Sequence, residues 1–329
     1  MALDALDPFN LWRQAERLTT LRRQLLPLPL VDRPQHVDTS VFEPFERHPA
    51  TGLRGKRIAL VGSAGGGAAV ALVGVKRAFE EAGVELDAIS ACSGSALWGA
   101  MWAAGMDAQE MAELSLAWQP HDYLDIQWTG LPRLALSALR GFTGLRKGRA
   151  LEQLFDRRLW RMEAGETDIP FHTAVYNLDR GQVRWFGSDA TPDLTIGELA
   201  RIAVALPLRS EAVRVEGELY VDGAVVDSFP AEPIVADGGF ERVFAVDVTP
   251  PGGDDRRLDL AQRRELTRRS RRRLGESLTL IEPIPGEELH GSPFYDLFLD
   301  RRRWPDLMRR GYSAAVSALA PFNGRRRRS

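Results

Sequence analysis

Cysteine is almost missing from this chain. One residue, Cys92, occurs in 329, which excludes an internal disulfide framework and a cysteine-rich zinc site. Histidine is also scarce, with five residues (His36, His48, His121, His172 and His290) and no metal-ligand spacing among them. Long apolar runs are lacking too, since no stretch approaches the roughly 18 residues of an ordinary membrane-spanning helix. The opening segment MALDALDPFNLWRQAERL is acidic and has no apolar centre, so it does not read as a secretory signal. The expectation is a soluble, cytoplasmic protein, with peripheral membrane contact as an added option.

What is present is globular in kind. Hydrophobic residues make up 44% and charged residues 27%, which excludes wholesale disorder. The length suits one large domain or two small ones, and such a chain buries enough surface to fold without a disulfide or metal. The net charge of −2 is unevenly spread. Residues 256–329 hold 18 Arg against nine acidic residues, while residues 1–255 carry the acidic excess. A basic C-terminal quarter suits an anionic surface such as phospholipid headgroups, or else is a solvated face.

The chain divides into an N-terminal extension (1–55) with many prolines, a body (56–322) and a basic tail (323–329) expected to be frayed. The run Ile58 to Gly62 predicts a strand buried on both faces, followed by a helix over Val70 to Ala82 that stops at Gly83. A second strand over Asp87 to Ala91 and a helix over Gly94 to Ala104 complete a strand–helix–strand–helix order, hence a mostly parallel sheet. Further strands are predicted at Phe171 to Asn177, Val183 to Phe186, Leu219 to Val221 and Arg242 to Val248. Further helices are predicted at Thr195 to Ala205, Ala231 to Asp237 and Trp304 to Leu319.

Three local patterns carry chemistry. First, Ala91-Cys92-Ser93-Gly94-Ser95 joins a strand to a helix. A serine at such a turn is exposed at the sheet edge, with the helix N-terminus aimed at the reacting centre. The same serine could equally be an ordinary helix N-cap. Second, Gly65-Gly66-Gly67 follows the first strand, and successive N–H groups there can point at one anion. A phosphate loop is excluded because Ala68-Ala69 stand where Lys and Ser or Thr are needed, and a dinucleotide fingerprint fails at Val70. An oxyanion hole, or simple close packing, remains. Third, Asp222-Gly223 ends a short strand, where a carboxylate can take a proton from a serine if the fold brings the two together. A plain Asp-Gly turn is the alternative.

Together and in this order, the three resemble the patatin-like family of Ser–Asp lipid acyl hydrolases. The segment SAGGGAAVALVGVKRAFEEAGVELDAISACSGSAL is similar to that family's opening. ALPL, ELYVDGAVVDSFP and RVFAVDV then follow its order of elements, so the resemblance covers about residues 57–320. It implies a three-layer α/β/α sandwich in which Ser93 is the nucleophile and Asp222 its base. Gly65, Gly66 and Gly67 would supply the oxyanion hole, Cys92 and Gly94 would flank the elbow serine, and Gly223 would form the acid turn. No metal or organic cofactor is implied, and calcium independence is expected because no acidic cluster forms a calcium loop.

The chain departs from the family pattern in four places. Ala91 and Ser95 replace the two elbow glycines. Gly67 is an extra glycine when the chain is aligned on Gly74-Val75. Ala68 replaces a basic residue, and Asp227 stands where asparagine is frequent. These departures motivate the alternative of a degenerate member that only binds lipid or protein. A Ser-His-Asp triad is a further alternative, with His290 in the required chain order. Cys92 reads as a buried thiol rather than a nucleophile. The segment from Leu131 to Leu145 has one apolar helical face, either a lid over an acyl pocket or core, and Arg146, Lys147 and Arg149 after it could meet headgroup phosphates. The expected partner is a lipid or other acyl ester. No nucleic acid is expected, because the arginines lack interleaved aromatics.

Overall fold

The computed structural model describes residues 41–125, 144–248, 268–269, 271–284 and 301–323. The apolar run Ile58–Gly62 forms strand β1, and all five residues are buried. Alternate side chains of β1 serve two different cores, as a strand covered on both faces requires. Ile58 and Leu60 join Leu72, Phe79 and Trp98 on one side of the sheet. Ala59 and Val61 join Phe229 and Ile234 on the other.

A short 3-10 turn, Gly66–Val70, leads from β1 into helix α1 (Ala71–Ala82), which ends at Gly83 in the left-handed conformation. The chain continues through β2 (Ala88–Ala91), α2 (Gly94–Ala103), α3 (Ala108–Ala117), β3 (Gly144–Arg146) and α4 (Arg149–Arg158). Then come β4 (Phe171–Asn177), β5 (Gln182–Gly187), α5 (Ile196–Ala203), β6 (Leu208–Ser210), β7 (Val213–Val215) and β8 (Glu218–Asp222). The last elements are α6 (Glu232–Asp237), β9 (Arg242–Val246), β10 (Leu278–Ile281) and α7 (Trp304–Leu319).

The strand order is β10-β9-β1-β2-β4-β8-β7, with β5 also on β4. The first five strands are mutually parallel. β5 and β8 run antiparallel to β4, and β7 runs antiparallel to β8. Helices α1, α2, α5 and α7 pack on one face and α6 on the other, which gives the expected three-layer α/β/α sandwich with a mostly parallel sheet. Among the described residues no helix is long and apolar enough to cross a membrane.

β1, β4 and α7 begin and end where the sequence pattern puts them. Elsewhere the ends move. Val70 belongs to the 3-10 turn, and Thr195 is the N-cap of α5, its hydroxyl accepting from Glu198 N–H in a capping box. β9 stops at Val246, after which Asp247 and Val248 turn towards Ser63. Leu145, placed by its periodicity on a helical face, lies instead in β3, because the segment pairs in parallel with β6. The rest of the proposed lid, from 131 to 143, lies outside the described residues. So do residues 1–40, the tail from 324 and His290. Residues 41–53 lie against the body, with His48 and Ala50 N–H groups donating to the carbonyls of Glu81 and Ala82 at the end of α1.

Part of the C-terminal basic excess is structural. Arg301 is fully buried and donates to the carbonyls of Ser115 and Leu116. Arg271 pairs with Asp247, and Arg273 pairs with Glu232.

Candidate active site

Strands β2 and β8 lie along the same edge of β4. β5 occupies the other edge, paired from His172 through Asn177. On the shared edge β2 runs up to Ala91, opposite Thr173. β8 comes from the other direction and ends with Asp222 opposite Val175. The two strands therefore meet nearly end to end, and two residues of β4, about 6.6 Å, separate the positions of Ala91 and Asp222. Ser93 leaves the end of one strand and Asp222 closes the other. Gly223 makes the approach possible, since a Cβ there would come 2.5 Å from the carbonyl carbon of Ala174, the one β4 residue between. Ala224 and Ala174 then pack against Cys92 in a small apolar cluster.

Ser93 has φ 52° and ψ −134°, a conformation costly for a residue with a side chain, at about 1–3 kcal/mol. It caps α2 by position, but its hydroxyl makes no capping hydrogen bond. An ordinary N-cap serine would accept from the first turn, so the plain capping reading does not describe it. Ser93 is 6% exposed and Asp222 is fully buried. Asp222 Oδ1 accepts from Ala224 N–H at 2.9 Å, and its own N–H donates to the Ala205 carbonyl at 3.1 Å.

The glycine-rich loop packs on this elbow. A Cβ on Gly65 would meet Val248 Cγ2 at 2.2 Å, and a Cβ on Gly94 would meet the Gly66 carbonyl oxygen at 2.1 Å. Gly66 itself has φ +50°. Ala64 N–H donates to Ser228 and Ala68 N–H to Gly65. Among the described residues the Gly65 and Gly66 N–H groups donate to no backbone acceptor in loops, turns or caps. Gly67 is buried inside the 3-10 turn.

The replaced elbow glycines have a local explanation. Gly62 of β1 is paired with Ala91, and a Cβ at Gly62 would come 2.9 Å from Ser95 Cβ and 3.2 Å from Ala91 Cβ. Glycine at position 62 leaves room for both side chains. Ser95 Oγ then donates to the Ser63 carbonyl at 2.5 Å, and Ser63 Oγ donates to Asp247 and accepts from Val248 N–H. Sequence reasoning missed this role of Ser63 and Ser95, because no motif encodes a bond between the residue after one strand and the first turn of a helix some thirty residues on.

Cys92 is buried and its thiol points at the Asp227 carbonyl, 3.7 Å away. Asp227 lies in the same loop. Burial pushes its carboxyl up to about 6, against the lowering effect of the Phe229 N–H it accepts. His172 sits in β4 opposite Ser90, and burial lowers its pKa. Among the described residues no three His, Cys, Asp or Glu side chains are grouped to hold a metal ion.

Residues 60–235, just over half of the sequence, match the family described as patatin-like phospholipase. The chain belongs to that family. A lysophospholipase NTE1 of Mycosarcoma maydis is 27% identical over 235 residues, covering 70% of this chain and 11% of its own length. An uncharacterised NTE family protein of Mycobacterium tuberculosis is 26% identical over 278 residues, 73% of this chain and 43% of its own. The chain thus spans less than half the length of these relatives. Among solved structures, VipD from Legionella pneumophila matches with a TM-score of 0.50 and 13% identity, over 81% of this chain and 67% of that one, a likeness of fold. Family membership supports hydrolysis of lipid esters.

Proposed function

We propose that the protein is a serine acyl hydrolase that cleaves lipid esters through Ser93 and Asp222. The reading rests on one observation, the end-to-end approach of β2 and β8 on β4, with Ser93 and Asp222 at the facing ends. Ser93 Oγ attacks the ester carbonyl carbon and its proton passes to the Asp222 carboxylate. The tetrahedral oxyanion accepts hydrogen bonds from the Gly65 and Gly66 N–H groups, beside the N-terminus of α2. Asp222 returns the proton to the leaving alcohol, which leaves an acyl group on Ser93. Water, deprotonated by Asp222, then attacks the acyl carbonyl carbon, and Asp222 returns the proton to Ser93 Oγ as the fatty acid is released.

The test is labelling with a fluorophosphonate, read by intact mass and peptide mapping, on the wild type and on Ser93→Ala, Asp222→Asn and His290→Ala. The expected result is an adduct on Ser93 that survives loss of His290 and is lost with Asp222. Labelling lost with His290 would instead favour a triad. A folded wild type that takes no label would favour a lipid- or protein-binding member without catalysis.

A further inference from the structure

Ser63 and Asp247 leave two paired strands side by side, because Gly62 at the end of β1 is opposite Val246 at the end of β9. Ser63 Oγ donates to Asp247 Oδ1 at 3.3 Å, which leaves its lone pairs free to accept from Val248 N–H at 2.9 Å. Val248 is buried, and a Cβ on Gly65 would lie 2.2 Å from its Cγ2. The glycine-rich loop is therefore seated on Val248, and Val248 is held by Ser63. Ala64 N–H donates to the Ser228 carbonyl at 2.9 Å, which ties the same loop to the segment after Asp222.

Arg271 closes this assembly from outside. Its Nη2 pairs with Asp247 Oδ2, the oxygen that Ser63 does not use. Its guanidinium carbon also lies 5.5 Å from the ring centre of Phe229, the buried residue after Ser228. One side chain thus touches both supports of the loop. The Asp247 side chain is 16% exposed and that of Arg271 33%. A carboxylate enclosed to that degree keeps its place while a cation faces it, and without one it turns to water and lets go of Ser63. Arg273, two residues further on, pairs with Glu232 instead, and both of those side chains are exposed.

We propose that Arg271 is a positioning residue, which through Asp247, Ser63 and Val248 sets where the Gly65 and Gly66 N–H groups stand relative to Ser93. This rests on the hydrolase reading above. Oxyanion donors act only from a fixed distance of about 3 Å, and a misplacement of about 1 Å can cost about 100-fold in rate. Arg271 acts on that distance and does not touch the substrate.

The experiment saturates the labelling of Ser93 with a fluorophosphonate, so that the limiting rate is separated from the half-saturating concentration. The proteins are the wild type, Arg271→Gln, Arg271→Lys, Asp247→Asn, the double variant Arg271→Gln/Asp247→Asn, and Arg273→Gln, with urea unfolding alongside. Arg271→Gln should lower the limiting rate about tenfold or more and leave the half-saturating concentration unchanged. Arg271→Lys should restore part of the rate, and the double variant should lose no more than Arg271→Gln alone. Arg273→Gln should label as the wild type does. Should Arg271→Gln not fold, Arg271→Lys and Asp247→Asn carry the same comparison, each with a reduced limiting rate expected. A folded Arg271→Gln that labels at the wild-type rate would overturn the proposal. So would a change confined to the half-saturating concentration, which would make Arg271 a contact of the ligand. Additive losses in the double variant, or equal slowing in Arg273→Gln, would overturn it too. In all of these the wild type still labels, and the hydrolase reading stands. A folded wild type that takes no label would overturn that reading, and this inference with it.

Discussion

Gly94 and Gly66 touch backbone to backbone, so close that a Cβ on Gly94 would lie 2.1 Å from the Gly66 carbonyl oxygen. The first residue of the elbow helix thus fixes the height of the glycine-rich loop above Ser93. Gly94→Ala must push that loop away, because the clash is with main chain and no rotamer relieves it. Labelling of Ser93 by a fluorophosphonate should slow about 100-fold or more, the usual cost of a lost oxyanion donor. Stability should fall by about 1–3 kcal/mol, as for overpacking elsewhere. Labelling rates followed by intact mass, with denaturant unfolding alongside, check both. A folded variant that labels at the wild-type rate would remove this loop from the mechanism.

Ser95 joins the same two elements from the other side. Its hydroxyl is fully buried and donates to the Ser63 carbonyl, which lies at the end of β1 just before the loop. Ser95→Ala leaves that carbonyl short of a donor and is expected to cost about 1–3 kcal/mol. Labelling should slow by less than in Gly94→Ala, because no atom is forced into the loop. Urea midpoints and labelling rates measured on both variants decide the order.

Much of the sheet was legible in the sequence, because a strand buried between parallel neighbours is a short apolar run, as Ile58–Gly62 is, and Phe171–Asn177 is rich in aromatic and β-branched residues. α3 was missed although Asp107 and Glu110 form a capping box, since the pattern around it is only weakly amphipathic. β3, β6 and β7 have three residues each, too few for any periodicity to register. The motifs named the residues at the candidate site, but not why Ala91 and Ser95 are tolerated there. That answer depends on Gly62, a neighbour only through strand pairing.

α1 and α7 cross through two glycines. A Cβ on Gly74 would come 1.8 Å from the Met308 carbonyl oxygen, and one on Gly311 would come 2.0 Å from the Ala71 carbonyl oxygen. In an isolated helix alanine is favoured over glycine by about 1 kcal/mol, so Gly74→Ala would be stabilising on propensity alone. The crossing should reverse that sign, and a loss of about 1–3 kcal/mol is expected from forced separation of the helices. Because α1 also carries the end of the glycine-rich turn, labelling of Ser93 should slow as well. Urea unfolding is the direct check, and a midpoint at or above that of the wild type would contradict the tight crossing.

Asp227 gives the protein a pH dependence with a definite sign. Burial raises its carboxyl from 3.8 to about 6, so the folded state disfavours the ionised form. Below about pH 4 the group is protonated in both states and costs nothing. As pH rises from there to about 6, the unfolded chain ionises while the folded one resists, and stability falls. Above about pH 6 the loss is complete, on the order of 2–3 kcal/mol. Asp227→Asn cannot ionise, and its amide oxygen can still accept the Phe229 N–H that the carboxylate accepts now. The variant should therefore be more stable than the wild type at about pH 8 by most of that amount, with the difference vanishing near pH 4. Unfolding both proteins in urea across this range isolates the group, since every other titration is common to the two. A stability difference that does not change with pH would mean that Asp227 titrates normally and that its loop is open to water.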